Sequence, residues 1–151
     1  MQHPKLKLNS LDQLTKLLLK KIKSNQSNRL MVCIAGAPGS GKSYISSNLL
    51  KKINFIRQQS EIFEMDGFHY DDVILKKKKL IKRKGSQQTF DVMGLKSFLQ
   101  RLKTNNEVQV TVPIFDRKLE LSRGSAKIIK NTIPLIITEG NYLLLKQKPW
   151  S

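Results

Sequence analysis

Apolar residues recur along this chain in two alternating spacings. Leu11, Leu14, Leu18 and Ile22 keep to one face of a helix, and Ser10-Leu11-Asp12-Gln13 has the form of a capping box. A helix is therefore predicted up to the polar stretch Ser24–Asn28. Leu30–Ala35 is an unbroken apolar run closed by glycine, the pattern of a buried strand. Helical spacing returns with Ile45, Leu49, Leu50 and Ile53. Glu61–Met65 reads as a second strand, Asp71–Ile81 as a lysine-rich helix and Gly85–Gln88 as a loop. Asp91 opens a further helix with Val92, Leu95, Leu99 and Leu102 on one face. Val108, Val110 and Val112 alternate as a third strand that Pro113 stops. A short helix is expected around Ser125–Lys130, then a fourth strand, Ile133–Thr138, apolar on both faces. Strands alternating with helices predict an α/β fold, three layers deep, around a mainly parallel sheet covered on both sides.

Composition narrows this only in part. A chain of 151 residues forms one domain, and 39% hydrophobic residues gathered in blocks describe a globular protein. We place a helix and linker at 1–28 and the main core at 29–151. No apolar stretch approaches the ~20 residues a bilayer requires, and the N-terminus lacks a signal-peptide core. The expectation is a cytoplasmic protein with no membrane partner. Cys33, inside an apolar run, is expected to be a buried structural thiol. One cysteine and two histidines leave no structural zinc site.

The formal charge of +17 is gathered at Lys20-Lys21, Lys51-Lys52, Lys76–Lys79 and Lys82-Arg83-Lys84. Such a surface attracts nucleic acid or anionic surfaces. No zinc-ligand spacing, RNA-binding aromatic signature or internal repeat accompanies it, and lysine is frequent throughout. A small anionic substrate would gain from the same field, so nucleic-acid binding stays an alternative reading.

Gly36-Ala37-Pro38-Gly39-Ser40-Gly41-Lys42-Ser43 fits G-x-x-x-x-G-K-[ST] in full, between a predicted strand and a predicted helix. Glycines let several backbone N–H groups turn toward one phosphate, and the following helix adds its positive end. Lys42 is expected to reach the β- and γ-phosphates of a nucleotide, and the Ser43 hydroxyl to hold Mg²⁺.

The acids refine the reading. Asp66, Asp116 and Glu139 each follow a predicted strand, at the sheet edge where doubly wound folds bind ligands. Asp66, in Met65-Asp66-Gly67-Phe68-His69-Tyr70-Asp71-Asp72, is the candidate to orient an acceptor hydroxyl and take its proton. Glu139 is the candidate for a magnesium-bound water. Asp71 and Asp72 read as helix caps. Asp91 is open to capping or to a substrate hydroxyl, and His69 to the substrate side.

Together these motifs resemble the phosphoribulokinase/uridine kinase family, which includes bacterial pantothenate kinase. GAPGSGKS, MDGFHYDD, QTFDVMGL, VPIFDR, ITEGNYLLL and PW occur in the order of its bacterial nucleoside/nucleotide kinase-like branch, from about Leu30 to Trp150. The resemblance implies transfer of the γ-phosphate of ATP to a small-molecule hydroxyl with Mg²⁺. It implies ATP binding by Gly36–Ser43 with Tyr44, catalysis by Asp66 with Lys42, and acceptor binding by His69, Asp91, Asp116 and Arg117. It implies a metal held by Ser43 and Glu139.

Two departures affect specificity. Ser86-Gln87-Gln88 stands where the branch has Ala-Pro-Glu, and Glu120 falls about where uridine kinases carry a histidine, which argues against uridine as acceptor. The chain also stops soon after Glu139, where family members continue into an arginine-bearing lid, a strand and a helix. The sequence thus reads as a core without its lid and last strand. An inactive nucleotide-binding remnant is one alternative, and a basic phosphate-loop protein that binds nucleic acid is another. An unpaired sheet edge makes a homodimer an expected form to test.

Overall fold

A computed structural model of the chain describes residues 7–24, 29–56 and 60–150. The order is α1 (Leu11–Ser24), β1 (Leu30–Ala35), α2 (Lys42–Ile56), β2 (Ser60–Glu64), α3 (Asp72–Lys77), α4 (Val92–Thr104), β3 (Gln109–Asp116), β4 (Leu121–Lys130) and β5 (Leu135–Gly140). Residues 25–28 of the expected linker lie outside the described residues. At the start of α1, Ser10 Oγ accepts from Gln13 N at 3.2 Å, while Gln13 Oε1 accepts from Asn9 N at 2.8 Å. Asp71 caps α3 through Val73 N and Asp91 caps α4 through Gly94 N. Acceptors at these positions satisfy N–H groups that the first helical turn leaves unpaired.

The parallel sheet has three strands in the order β1-β5-β2. Its central strand β5 is buried at all six positions, which explains why the sequence is apolar on both faces there. Alternation sends Leu135 and Ile137 to one side, against Leu18 of α1 and Leu49 and Ile53 of α2. It sends Ile136 to the other side, against Leu95 and Leu102 of α4 and Val110, Val112 and Ile129. The α/β class and the parallel sheet between packed layers are as expected.

Three elements differ from expectation, the first being the helix expected over Asp71–Ile81, which ends at Lys77. Ser125–Lys130 is not helical but belongs to β4, which pairs antiparallel with β3 in a separate two-stranded ribbon. Ile128 and Ile129 adjoin one another among polar residues, a pattern with no clear period of two. The pairing resolves it: Ile129 lies opposite Val110 in the core, and Ile128 is left exposed. Pro113 does not end β3. It sits where the register shifts between Val112 and Ile114, an irregularity at which a missing N–H is tolerated.

Cys33 is exposed, correcting the expectation of a buried thiol. Among the described residues β1 pairs with β5 alone, and burial along it is incomplete.

Arg29, just before β1, is 6% exposed. It donates through Nε to Ile133 O at 2.9 Å, through one terminal nitrogen to Leu102 O at 3.0 Å and through the other to Lys130 O at 2.6 Å. One guanidinium thus ties together the last turn of α4, the end of β4 and the entry to β5, using the fixed fork that only arginine offers. Arg29→Met should cost about 2–4 kcal/mol, because three carbonyls lose a charged donor. A lower urea midpoint at unchanged slope would show it. Arg29→Lys should recover less than half, since an ammonium does not reproduce the fork.

Candidate active site

The phosphate loop joins β1 to α2. Gly39 and Gly41 take φ of +74° and +85°, a region that residues with a Cβ rarely adopt. At Gly36 the obstacle is space, since a Cβ would lie 2.8 Å from Ser40 Oγ. Helix α2 starts at Lys42 and brings its N–H groups to the loop. Lys42 Nζ donates to Ala37 O at 2.8 Å, inside the loop.

Parallel pairing sets Glu139 opposite both Ile34 of β1 and Glu64 of β2, at the carboxyl ends of the strands. Glu139 is 9% exposed, and its two oxygens accept from Ser43 Oγ at 2.9 Å and Ser46 Oγ at 2.5 Å. Beyond β2, residues 65–68 form a single 3₁₀ turn that carries Asp66. Gly67 in that turn lies against the ribbon backbone, where a Cβ would meet Pro113 O at 2.6 Å. Asp91 N and Tyr70 N donate to Phe68 O and Thr89 O at 2.8 and 2.9 Å. The segment is thereby clamped on both sides.

Two clefts meet at Asp66. One, of about 220 Å³, is lined by Pro38, Gly39, Lys42, Ser43, Glu64, Asp66, Arg117, Glu139, Gly140 and Asn141. The other, of about 370 Å³, is lined by His69, Lys84, Gly85, Phe90, Phe115 and Glu120. Both are lined by Pro38, Asp66, Arg117 and Asn141. Arg117 donates to Asp66 Oδ2 at 3.4 Å. His69 lies between Phe90 and Phe115, with ring centroids 4.0 and 4.8 Å away, and its Nδ1 is 2.9 Å from Asp66 O. Lys84 Nζ donates to Asp72 Oδ1 at 2.6 Å and to Glu120 O at 2.5 Å, beside Phe115.

The sequence candidates Lys42, Ser43, Asp66, Glu139, His69 and Arg117 therefore come together. Asp91 and Asp116 are not among the residues lining either cleft. Asp91 Oδ1 is committed to the α4 cap. Asp116 accepts from Lys118 N, Leu119 N and Arg123 at the turn between β3 and β4. The Leu119 N–H, with Arg123 and the Lys118 N–H, holds its carboxyl below the usual aspartate range. Tyr44 is exposed on α2 and lines neither cleft. Sequence reasoning missed Glu64, Lys84 and Ser46. Only Glu64 left a signal, as the acid one residue before the end of the predicted strand Glu61–Met65.

The cleft suits a hard cation. Its donors are carboxylate and hydroxyl oxygens, and among the described residues no three His, Cys, Asp or Glu side chains gather closely enough to cage a metal alone. Mg²⁺ characteristically takes one or two carboxylates and completes its shell with water and substrate phosphates. Burial, then the neighbouring charges of Glu139 and Asp66, push the Glu64 carboxyl above its usual range.

This shift has a sign that can be checked. Glu64 holds its proton more tightly folded than unfolded, so its charging costs stability as pH rises from the ordinary glutamate value of ~4.3. In EDTA, Glu64→Gln should raise the urea midpoint at pH 7, and the gain should shrink toward pH 4. A gain that does not vary with pH would contradict the assignment.

Comparison with known proteins gives two kinds of match. A family model described as Schlafen group 3, DNA/RNA helicase domain, matches residues 29–135, an interval that holds the phosphate loop and Asp66 but ends before Glu139. Three kinase-named proteins align over as much or more of the chain. A Schizosaccharomyces pombe protein provisionally named as a uridine kinase is 31% identical over 150 residues, 95% of this chain and 63% of its own length. Pantothenate kinase of Bacillus velezensis is 29% identical over 113 residues, covering 73% of this chain and 35% of its own. The crystal structure of a protein from Silicibacter sp. TM1040, provisionally named as a fructose transport system kinase, superposes with a TM-score of 0.85 at 34% identity. That match covers 95% of this chain and 68% of the other. The chain thus spans about a third to two thirds of the length of these relatives. The two matches that cover 95% of the chain take in β5 and its acid, whereas the helicase-domain match stops at the first residue of β5. The chain belongs to the phosphoribulokinase/uridine kinase family of P-loop kinases.

Proposed function

We propose that this chain binds ATP with Mg²⁺ and transfers the γ-phosphate to a hydroxyl of a small molecule. The observation that carries the reading is Asp66 at the junction of two clefts, one lined by the phosphate loop and the other by aromatic and charged side chains. Phosphoryl transfer needs donor and acceptor held in line, and a group beside the attacking hydroxyl helps by accepting its proton. The names of the relatives support an acceptor among sugars, nucleosides and pantothenate-like compounds. Glu120 at the second cleft continues to argue against uridine.

In this reading the loop N–H groups and Lys42 hold the β- and γ-phosphates, and Ser43 and Glu139 hold the cation. Bound Mg²⁺ would neutralise charge on the phosphates. The acceptor O–H lies beside Asp66, which takes its proton. The acceptor oxygen bonds to the γ-phosphorus as the bond to the bridging β–γ oxygen breaks, and ADP leaves. Arg117 stays near both the proton acceptor and the transferred group. His69 and Lys84 contact the acceptor.

A second reading has specific support. The helicase-domain match and the +17 charge favour a P-loop protein that binds nucleic acid. Such binding would weaken steeply with salt.

Thermal unfolding with and without Mg·ATP tests the nucleotide half. A ligand at about 100 times its Kd adds about 2.7 kcal/mol, a shift of several degrees. The shift should appear in the wild type and vanish in Lys42→Ala; its absence from the wild type would overturn the reading. Asp66→Asn should keep the shift and lower turnover of a responsive acceptor by about 100-fold. Tight, salt-sensitive binding to a mixed-sequence oligonucleotide, without phosphorylation in a small-molecule acceptor screen, would favour the second reading.

A further inference from the structure

Glu139 stands at the end of a fully buried strand, where a carboxylate requires hydrogen-bond donors. It has two hydroxyls, both from the first two turns of α2: Ser43 on Oε1 and Ser46 on Oε2. Residues three apart share a helix face, so both reach the same carboxylate. Their situations differ. Ser43 is exposed and lines the phosphate-loop cleft, whereas Ser46 is 1% exposed and does not line it.

We propose that Ser46 is the positioning residue that holds Glu139 in place for the nucleotide's cation. The inference rests on the reading that this cleft binds Mg-nucleotide. The Ser46 hydroxyl has one proton. Its contact with Glu139 at 2.5 Å is much shorter than its contact with Ser43 O at 3.2 Å, so the proton goes to the carboxylate. When Ser43 turns its hydroxyl oxygen to the cation, it no longer serves Oε1, and that oxygen is released toward the cleft. Ser46 keeps Oε2. Without it the carboxylate would lose its fixed orientation at the moment it is needed. Ser46 acts through Glu139 and does not itself touch substrate.

The test is nucleotide binding as a function of Mg²⁺, read with a fluorescent ADP analogue on the full chain. Wild type, Ser46→Ala, Ser46→Thr and Ser46→Cys are titrated with Mg²⁺, and each is also measured in EDTA. Removing a partner that orients a metal-binding group costs roughly 10–100-fold in metal affinity. Ser46→Ala should therefore raise the Mg²⁺ midpoint about tenfold or more while leaving the affinity in EDTA unchanged. Ser46→Thr, which keeps the hydroxyl, should return the midpoint to within about threefold of wild type. If alanine perturbs folding, the EDTA affinity falls too, and Ser46→Cys, of similar size with a weak donor, gives the same comparison. A Mg²⁺ midpoint unchanged in Ser46→Ala overturns the role of Ser46 alone. Wild-type protein that binds no nucleotide, or binds it without regard to Mg²⁺, overturns the underlying reading as well.

Discussion

The site depends on one register. β1, β5 and β2 run parallel, and their pairing brings Ile34, Glu139 and Glu64 level at the carboxyl end of the sheet. The phosphate loop leaves β1 at that edge, and Asp66 leaves β2 at the same edge. A one-residue slip of β5 would turn Glu139 to the other face and set Thr138 or Gly140 beside the loop. The register is fixed well away from the chemistry, because Leu135, Ile136 and Ile137 must each find the correct one of two cores. Hydrophobic alternation in the middle of a strand thereby positions an acid at its end.

That convergence has an electrostatic cost. Glu64, Asp66 and Glu139 line one cleft, and Glu64 responds by holding its proton more tightly. Fixed compensation is partial: Ser43 and Ser46 donate to Glu139, and Arg117 to Asp66. A chain with a net charge of +17 nevertheless gathers Glu64, Asp66 and Glu139 at this edge, an arrangement that a divalent cation stabilises and that packing alone does not require. The other half of the site comes from the antiparallel ribbon, which delivers Phe115, Arg117 and Glu120 to the second cleft. Its closeness to Asp66 follows from Gly67, whose lack of a side chain lets two backbones meet.

What could be read from the sequence divides along local and non-local lines. The phosphate loop was legible because its glycines, lysine and serine are contiguous and their conformational demands are intrinsic. Glu139 was legible because an acid after an apolar strand has a predictable place. The ribbon was not, because β4 has one covered face and two adjacent isoleucines, so its strand character emerges only on pairing with β3. Arg29 left no trace, since its partners are three carbonyls more than 70 residues away along the chain. Asp91 and Asp116 show the limit of reading acids by position. Each stands where a ligand group is expected, yet nearby N–H groups claim its carboxylate.

The same local accounting bears on which acceptor the second cleft can take. Proteins that hold single-stranded nucleic acid offer aromatic faces on which successive bases stack, along a positively charged groove. Here Phe90 is only 2% exposed, and His69 fills the space between it and Phe115. Phe90 therefore offers no open face along which successive bases could stack. Asp66 and Glu120 line the same cleft as Arg117 and Lys84, so its charge is mixed and it is not a continuous positive groove. Lys84 sits beside Phe115, where Asp72 and the Glu120 carbonyl take two of its three N–H donors. A cleft of about 370 Å³ with fixed donors and acceptors around a tightly packed aromatic wall suits a compact polar molecule. The lysine-rich surface and the mixed-charge cleft are separate features, and it is the cleft that adjoins the phosphate loop.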